Sequence, residues 1–374
     1  MKNFFIFLCV SFLSFSSNMQ QCFSSDDSNQ FKKKVFLNLD RIPLIQEYIV
    51  LKKEPVYSEF QRLLSESYDY LDGYNPEFPK QWFVPYYYEN PEGHEKKRVV
   101  LEYASNRAYA LALAFHLTGD LAFAQKARTI ILKWITTTKD LSKEEDSKLS
   151  FCVHFPLMIF AADLLRPTSV WTNTDEKCFS NYLGVLARPM STMDKNNNWG
   201  NWGSLLSLSI GTYLEHEELY LKTSKRWKQL IGIQIDTDGR LIHEVNRSEG
   251  QRGIRYSHYS LLPATIAAMI AWEHGEDFFH YRSPNNRTLH MAFKKIAFWA
   301  RYPAQFPYYK GPIETLKGIH NVHYFEILSS MWPEVDALEL LGIVRPLPII
   351  ASDFRLSLTH PKSLNDIIFS QGQK

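Results

Sequence analysis

Two short stretches carry residue types that can do chemistry together. Asn196-Asn197-Asn198-Trp199-Gly200-Asn201-Trp202-Gly203 sets a cluster of carboxamides beside two indoles, and Arg252-Gly253-Ile254-Arg255-Tyr256-Ser257-His258-Tyr259 sets guanidinium groups among phenols. Amides and guanidinium groups hold carboxylates, indole faces stack on sugar rings, and a phenol moves a proton. Those are the parts needed to break an acidic polysaccharide by elimination.

Spacing sharpens the second stretch. Seven residues make almost two helical turns, so Arg252 and Tyr259 are expected on nearly the same face, with Tyr256 between them and His258 about a third of a turn away. A cation beside Tyr259 would stabilise its phenolate and lower its pKa from about 10. The competing reading makes Tyr256 and Tyr259 core aromatics and pairs Arg252 with a surface acid. In the first stretch, three consecutive Asn residues favour caps and turns over helix interior. On packing grounds alone Asn198 would cap a helix, with Trp199 and Trp202 packing behind it. On chemical grounds Asn198, with Asn197 beside it, would donate to a uronate carboxylate and withdraw charge as the C5 proton becomes acidic.

Other candidates are weaker. Trp82 to His94 is aromatic and turn-rich, so it reads as non-helical, either a substrate wall or lid or simple loop packing. Glu244 and Arg247 lie one turn apart, which fits an ion pair or, for Arg247, a sugar-carboxylate contact. The expected substrate-binding residues are Asn197, Trp199, Trp202, Tyr256, Arg255, Arg247 and Glu244. His116, His154 and His243 are isolated and read as structural. His320 and His323 share a spacing but no third acidic or sulfur ligand, so neither a metal site nor any cofactor is expected. Asp236-Thr237-Asp238-Gly239-Arg240 reads as a tight turn, since it lacks calcium-loop ligand spacing. Serine-hydrolase, phosphate-loop and dinucleotide signatures are absent from the sequence.

These residues need helices to position them. Apolar residues recur at helical intervals over 104–118, 121–136, 151–165, 175–190, 202–214, 218–235, 254–274 and 288–301, and strand signals are poor. Thr118-Gly119-Asp120 and Glu215-His216-Glu217 are short connections that imply antiparallel neighbours. The expected fold is all-α: a curved ring of helical hairpins, with a groove at the end where loops and helix starts converge.

Composition bounds the rest. Lys+Arg 42 against Asp+Glu 40 gives a net charge of +2, which supports neither a nucleic-acid nor a general membrane-surface role. Met1-Lys2 followed by the apolar run Phe4 to Phe15 reads as a secretory signal peptide over residues 1–16, which implies a secreted or periplasmic protein. Residues 30–374 show no linker and read as one domain. Oligomeric state is not legible. Cys9 would leave with the signal, and of Cys22, Cys152 and Cys178 only a Cys152–Cys178 bridge comes into question, with free thiols the equal alternative.

From about Trp82 to Trp332 the chain resembles the alginate lyase family of the chondroitin and alginate lyase superfamily. The resemblance is carried by Val84-Pro85 to His94, Ala104-Ser105-Asn106-Arg107 leading to Leu117-Thr118-Gly119-Asp120, Asn197-Asn198, Asp238-Gly239 leading to Glu244, and Arg252 to Pro263. It implies an α/α toroid and β-elimination of a uronic-acid polysaccharide. By the family pattern Tyr259 would be the catalytic acid/base, Arg252 its assistant and Asn198 the carboxylate neutraliser. Typical members place a His directly after the second Asn; here that position is Trp199. Either another imidazole replaces it, with His258 and His243 as candidates, or Tyr259 performs both proton transfers. In β-1,4-linked mannuronate or glucuronate the C5 proton and the O4 leaving group lie on one side of the ring, so a single Tyr suffices. In guluronate they lie on opposite sides and two groups are wanted. The missing His therefore favours polymannuronate or glucuronan-like substrates. The alternatives are a non-catalytic acidic-glycan-binding toroid and a glycoside hydrolase, which needs opposed acids; Glu244 and Glu249 lie too close in sequence to supply them.

Overall fold

The computed structural model describes residues 34–349 and 351–372; the expected signal peptide, Cys9 and Cys22 lie outside them. The chain folds into helical hairpins. In order they are α1 (Ile42–Val50), α2 (Val56–Gly73), α3 (Pro91–Thr118), α4 (Leu121–Thr137), α5 (Ser147–Leu165), α6 (Asn173–Tyr182), α7 (Asn198–Tyr213) and α8 (Glu217–Gln234). Then come α9 (Gly253–Glu273), α10 (Leu289–Arg301), α11 (Phe325–Met331), α12 (Val335–Ile343), α13 (Leu356–Thr359) and α14 (Lys362–Gly372). Two two-residue strands, β1 (Gln81–Trp82) and β2 (Asp140–Leu141), pair in parallel, Gln81 with Asp140 and Trp82 with Leu141.

Burial sorts the helices into two layers. The second half of α3 and nearly all of α5, α7 and α9 are buried on every side, whereas α4, α8 and α10 bury one stripe only. A helix apolar all round must lie inside others. The inner helices pack in the row α3–α5–α7–α9, with α4 against α3, α8 against α7 and α10 against α9. This is the expected α/α toroid. Each outer helix returns the chain, so the inner helices run the same way and their N-termini gather at one end. Their unpaired N–H groups make that end electropositive, a setting suited to carboxylates. Although α5 is long and apolar enough to cross a membrane, 89% of its most apolar window is buried inside the ring.

Local signals explain the boundaries. Gly119, at φ 74°, closes α3 and Asp120 caps α4 by accepting from the Ala122 N–H. At its other end α3 starts thirteen residues before the expected 104. Asn90 caps it by accepting from the Gly93 N–H and Pro91 takes the first helical position, so the non-helical reading of Trp82 to His94 fails from Pro91 onward. Over 175–190 the chain stays helical but changes form, from α6 through a π-turn at Leu183–Ala187 to a 3₁₀ turn at Arg188–Met190. Cys152 and Cys178 are both free thiols, one buried and one exposed, so the bridge does not form.

Candidate active site

The N-terminus of α7 is drawn close to the preceding segment. A side chain at Gly200 would meet the Lys195 carbonyl at 1.9 Å, and one at Gly203 would meet the Met193 nitrogen at 2.2 Å. The approach occupies much of the Asn cluster. Asn196 Oδ1 accepts from Arg226 Nη2 at 2.7 Å, and Asn197, not Asn198, caps the helix by accepting from the Trp199 N–H at 3.1 Å. Asn201 is buried, donating to Gln234 Oε1 and Ser260 Oγ. Asn198 is fully buried and gives Nδ2 to both oxygens of Glu244, at 3.0 and 2.9 Å; its backbone N–H donates to the same carboxylate at 2.8 Å. The Asn198 amide nitrogen that would meet a uronate is therefore paired with the Glu244 carboxylate. Burial raises the Glu244 pKa, against the opposing pull of those hydrogen bonds and of Arg247, whose Nε lies 3.4 Å from Oε2.

Arg252 departs from the helical-stripe expectation for a local reason. It is the residue before α9, at φ −105° and ψ 7°, so the 3.6-residue spacing begins only at Gly253. Its guanidinium lies over Tyr87, 5.4 Å from the ring centroid, and 5.9 Å from that of Tyr88. Tyr88 Oη meets Tyr256 Oη at 3.1 Å, and Arg247 lies 5.1 Å from the Tyr256 ring. The β1–β2 pair and the buried Trp82, whose Nε1 donates to the Ser147 carbonyl at 3.1 Å, anchor the loop that brings Tyr87 and Tyr88 here. Of the aromatic segment, then, Trp82 is core, and Tyr87 and Tyr88 lie against Arg252 and Tyr256.

Tyr259 is half-buried, its ring 5.1 Å from Trp202 and 6.1 Å from Tyr256. Its hydroxyl has no hydrogen-bond partner among the described residues and is not sealed from solvent. Burial raises its pKa, helped by Tyr256 and Asp146, and the nearby cations Arg98 and Arg255 offset this only in part. The expected lowering by Arg252 is thus reversed, and Tyr259 rests as a protonated phenol. Trp202 is fully buried, so it supports the Tyr259 ring and presents no face to a sugar. Trp199 is half-buried and Arg255 is exposed, both at the open end.

His258, one residue away, faces the other side of α9. It is fully buried, Nδ1 sits 2.9 Å from Tyr324 Oη and Nε2 sits 3.1 Å from the Ile319 carbonyl. Burial lowers its pKa to about 3, so it is neutral with both nitrogens engaged, and it cannot stand in for the missing imidazole. His243 is exposed. His323 is buried, His320 is exposed, and no group of three metal-ligating side chains exists among the described residues.

Sequence reading missed one pair. His94, at the start of α3, and Asp146, at the start of α5, lie 3.3 Å apart between Nδ1 and Oδ2, and His94 Nδ1 is 2.9 Å from the Pro85 carbonyl. The one available signal was the placement of both near helix starts that the toroid brings to one end.

Similarity agrees with this geometry. No curated protein matches the chain in sequence. An alginate lyase from Bacteroides ovatus shares the fold at TM-score 0.69 and 16% identity, over 87% of this chain and 98% of that one. Alginate lyase A1-III from Sphingomonas species A1 does so at TM-score 0.71 and 19% identity, over 92% and 99%. A variant of A1-III complexed with a tetrasaccharide aligns at TM-score 0.71 and 18% identity, over 91% and 98%. The profile of the alginate lyase family matches residues 63–306, well over half of the chain, and with a helical toroid gathering Tyr259, Arg252 and Asn198 at one end, this chain belongs to the alginate lyase family of polysaccharide lyases.

Proposed function

We propose that the chain is a secreted lyase that cleaves a 1,4-linked uronic-acid polymer, of polymannuronate or glucuronan type, by β-elimination with Tyr259 as the proton shuttle. The observation that carries this reading is the free, protonated Tyr259 hydroxyl at the electropositive end of the ring, close to Arg98 and Arg255. The tetrasaccharide bound by the A1-III variant supports a sugar chain as the ligand of this fold.

In this reading the uronate carboxylate lies against Arg252, Arg247 or Arg255, whose charge makes the C5 proton more acidic. Asn198 acts through Glu244, fixing the segment that carries Arg247. Tyr259 Oη passes its proton to O4 and takes the C5 proton on the same oxygen. The C5–H electron pair becomes the C4=C5 bond as the C4–O4 bond breaks. One hydroxyl serves both transfers when both atoms lie on one side of the ring.

The test is ultraviolet absorbance of the new C4=C5 bond on polymannuronate and glucuronan. A signal that disappears in Tyr259→Phe is the expected result. Reducing ends without absorbance would mean hydrolysis, and silence in both assays with retained binding would mean a non-catalytic glycan-binding toroid.

A further inference from the structure

We infer that His94, held by Asp146, is a second proton-transfer residue of this groove, and that it lets the enzyme open uronates whose C5 proton and O4 lie on opposite faces. The inference rests on the lyase reading given above.

Asp146 stands at the N-cap position of α5, yet its side chain makes no capping bond. The carboxylate turns to the aromatic loop instead, accepting from the Tyr87 N–H at 2.9 Å and lying 3.3 Å from His94 Nδ1. The Pro85 carbonyl, 2.9 Å from the same nitrogen, can only accept, so Nδ1 carries a proton, and in the neutral ring the lone pair is on Nε2. Nε2 has no partner among the described residues and is not sealed from solvent. A carboxylate and a carbonyl therefore fix an imidazole in one tautomer with its basic nitrogen open, an arrangement that serves a general base.

Position ties this base to the groove. The His94 ring meets Tyr87 edge-on at 5.4 Å, and Tyr87 is the ring beneath Arg252. His94 and Arg98 lie one turn apart on α3, and the charges of Arg98 and Asp146 both act on Tyr259. Yet α3 and α9 are the two ends of the inner row α3–α5–α7–α9, so His94 and Tyr259 are carried by separate helices of the ring. Tyr259 rests protonated and can deliver its proton to O4, but on a uronate whose C5 proton lies on the far face the acceptor must be a second group. His258 cannot fill that role, because both its nitrogens are engaged.

The step balances. His94 Nε2 takes the C5 proton, the C5–H pair forms C4=C5, the C4–O4 bond breaks, and O4 leaves with the Tyr259 proton. The imidazolium then returns its proton to the phenolate through solvent.

The test compares initial rates on polyguluronate and polymannuronate for the full chain, His94→Gln, Asp146→Asn and Tyr259→Phe, with thermal melts as a folding control. The unsubstituted enzyme is expected to unsaturate both polymers. His94→Gln should shift the ratio of the two rates against polyguluronate by about 100-fold or more, the scale of a lost general base. Asp146→Asn should shift it in the same direction. Tyr259→Phe should abolish both. The proposal is overturned if the unsubstituted enzyme leaves polyguluronate intact, or if His94→Gln melts normally and leaves the ratio unchanged. The lyase reading fails by a separate sign, silence of the unsubstituted enzyme on every uronate polymer, and the proposal falls with it.

Discussion

Two tyrosine–histidine sets, one packed behind α9 and one at the open end of the ring, differ in what their polar atoms touch. On the inner side Tyr324 and His258 are fully buried and bonded to each other at 2.9 Å, and the Ile319 carbonyl closes the second ring nitrogen. Glu326, also fully buried, is held by Arg345, by Ser357 Oγ at 2.9 Å and by the Lys362 N–H at 3.0 Å. On the groove side Tyr259 Oη and His94 Nε2 face outward without partners among the described residues. Residue type is the same on both sides. A satisfied polar set specifies packing, whereas an open one is left for a ligand.

The sharpest way to break this contrast is to remove one hydroxyl from each set. Tyr259→Phe should lower the elimination rate by about 10²–10⁴-fold or more, with little change in melting temperature. Tyr324→Phe should do the reverse. It leaves His258 Nδ1 buried without a partner and should cost about 1–3 kcal/mol of stability, with kcat close to unchanged. Initial rates and denaturant midpoints measured on both variants decide it; a Tyr324→Phe enzyme that melts normally but does not turn over would remove the distinction.

A second contrast concerns Arg252. Because it stacks on Tyr87 and Tyr88 and not on Tyr259, it should act on substrate binding more than on Tyr259 ionisation. Arg252→Ala is expected to raise KM about tenfold, the scale of one lost desolvated cation–π or carboxylate contact, and to change kcat less. Lysine should rescue only part of this, since an ammonium lacks the planar fork. A fall confined to kcat would place Arg252 beside Tyr259 during turnover.

How far the site was legible follows from the range of its contacts. The toroid could be read because helical spacing and turns such as Thr118-Gly119-Asp120 are local, and so was the Glu244–Arg247 pair. Arg252 was misplaced because a residue just outside a helix does not share the helix's spacing. In sequence Trp202 reads as a sugar platform, because spacing alone does not tell which face of the helix is covered; the packed row of α5, α7 and α9 turns it inward. The hydrogen bonds of Asn198 to Glu244 and the contact of His94 with Asp146 join residues far apart in sequence, and no periodicity reports such pairs.

The closed set also predicts a response to acid. His258 is held down to about 3, and His116 and His323 to about 4, in each case chiefly by burial. An unfolded histidine titrates near 6.5, so below that pH the unfolded chain binds protons that the folded chain refuses. Stability from these groups is complete above about pH 6.5 and is lost progressively as pH falls toward their folded values. At about pH 5 each contributes a loss of roughly 2 kcal/mol, from 1.36 kcal/mol per pH unit. Urea midpoints measured from pH 7 to pH 5 should therefore fall steadily. A flat profile would mean that the inner histidines take up protons in the native state. His258 would then be open to solvent like His94, and the division between a packed face and a working face of α9 would not hold.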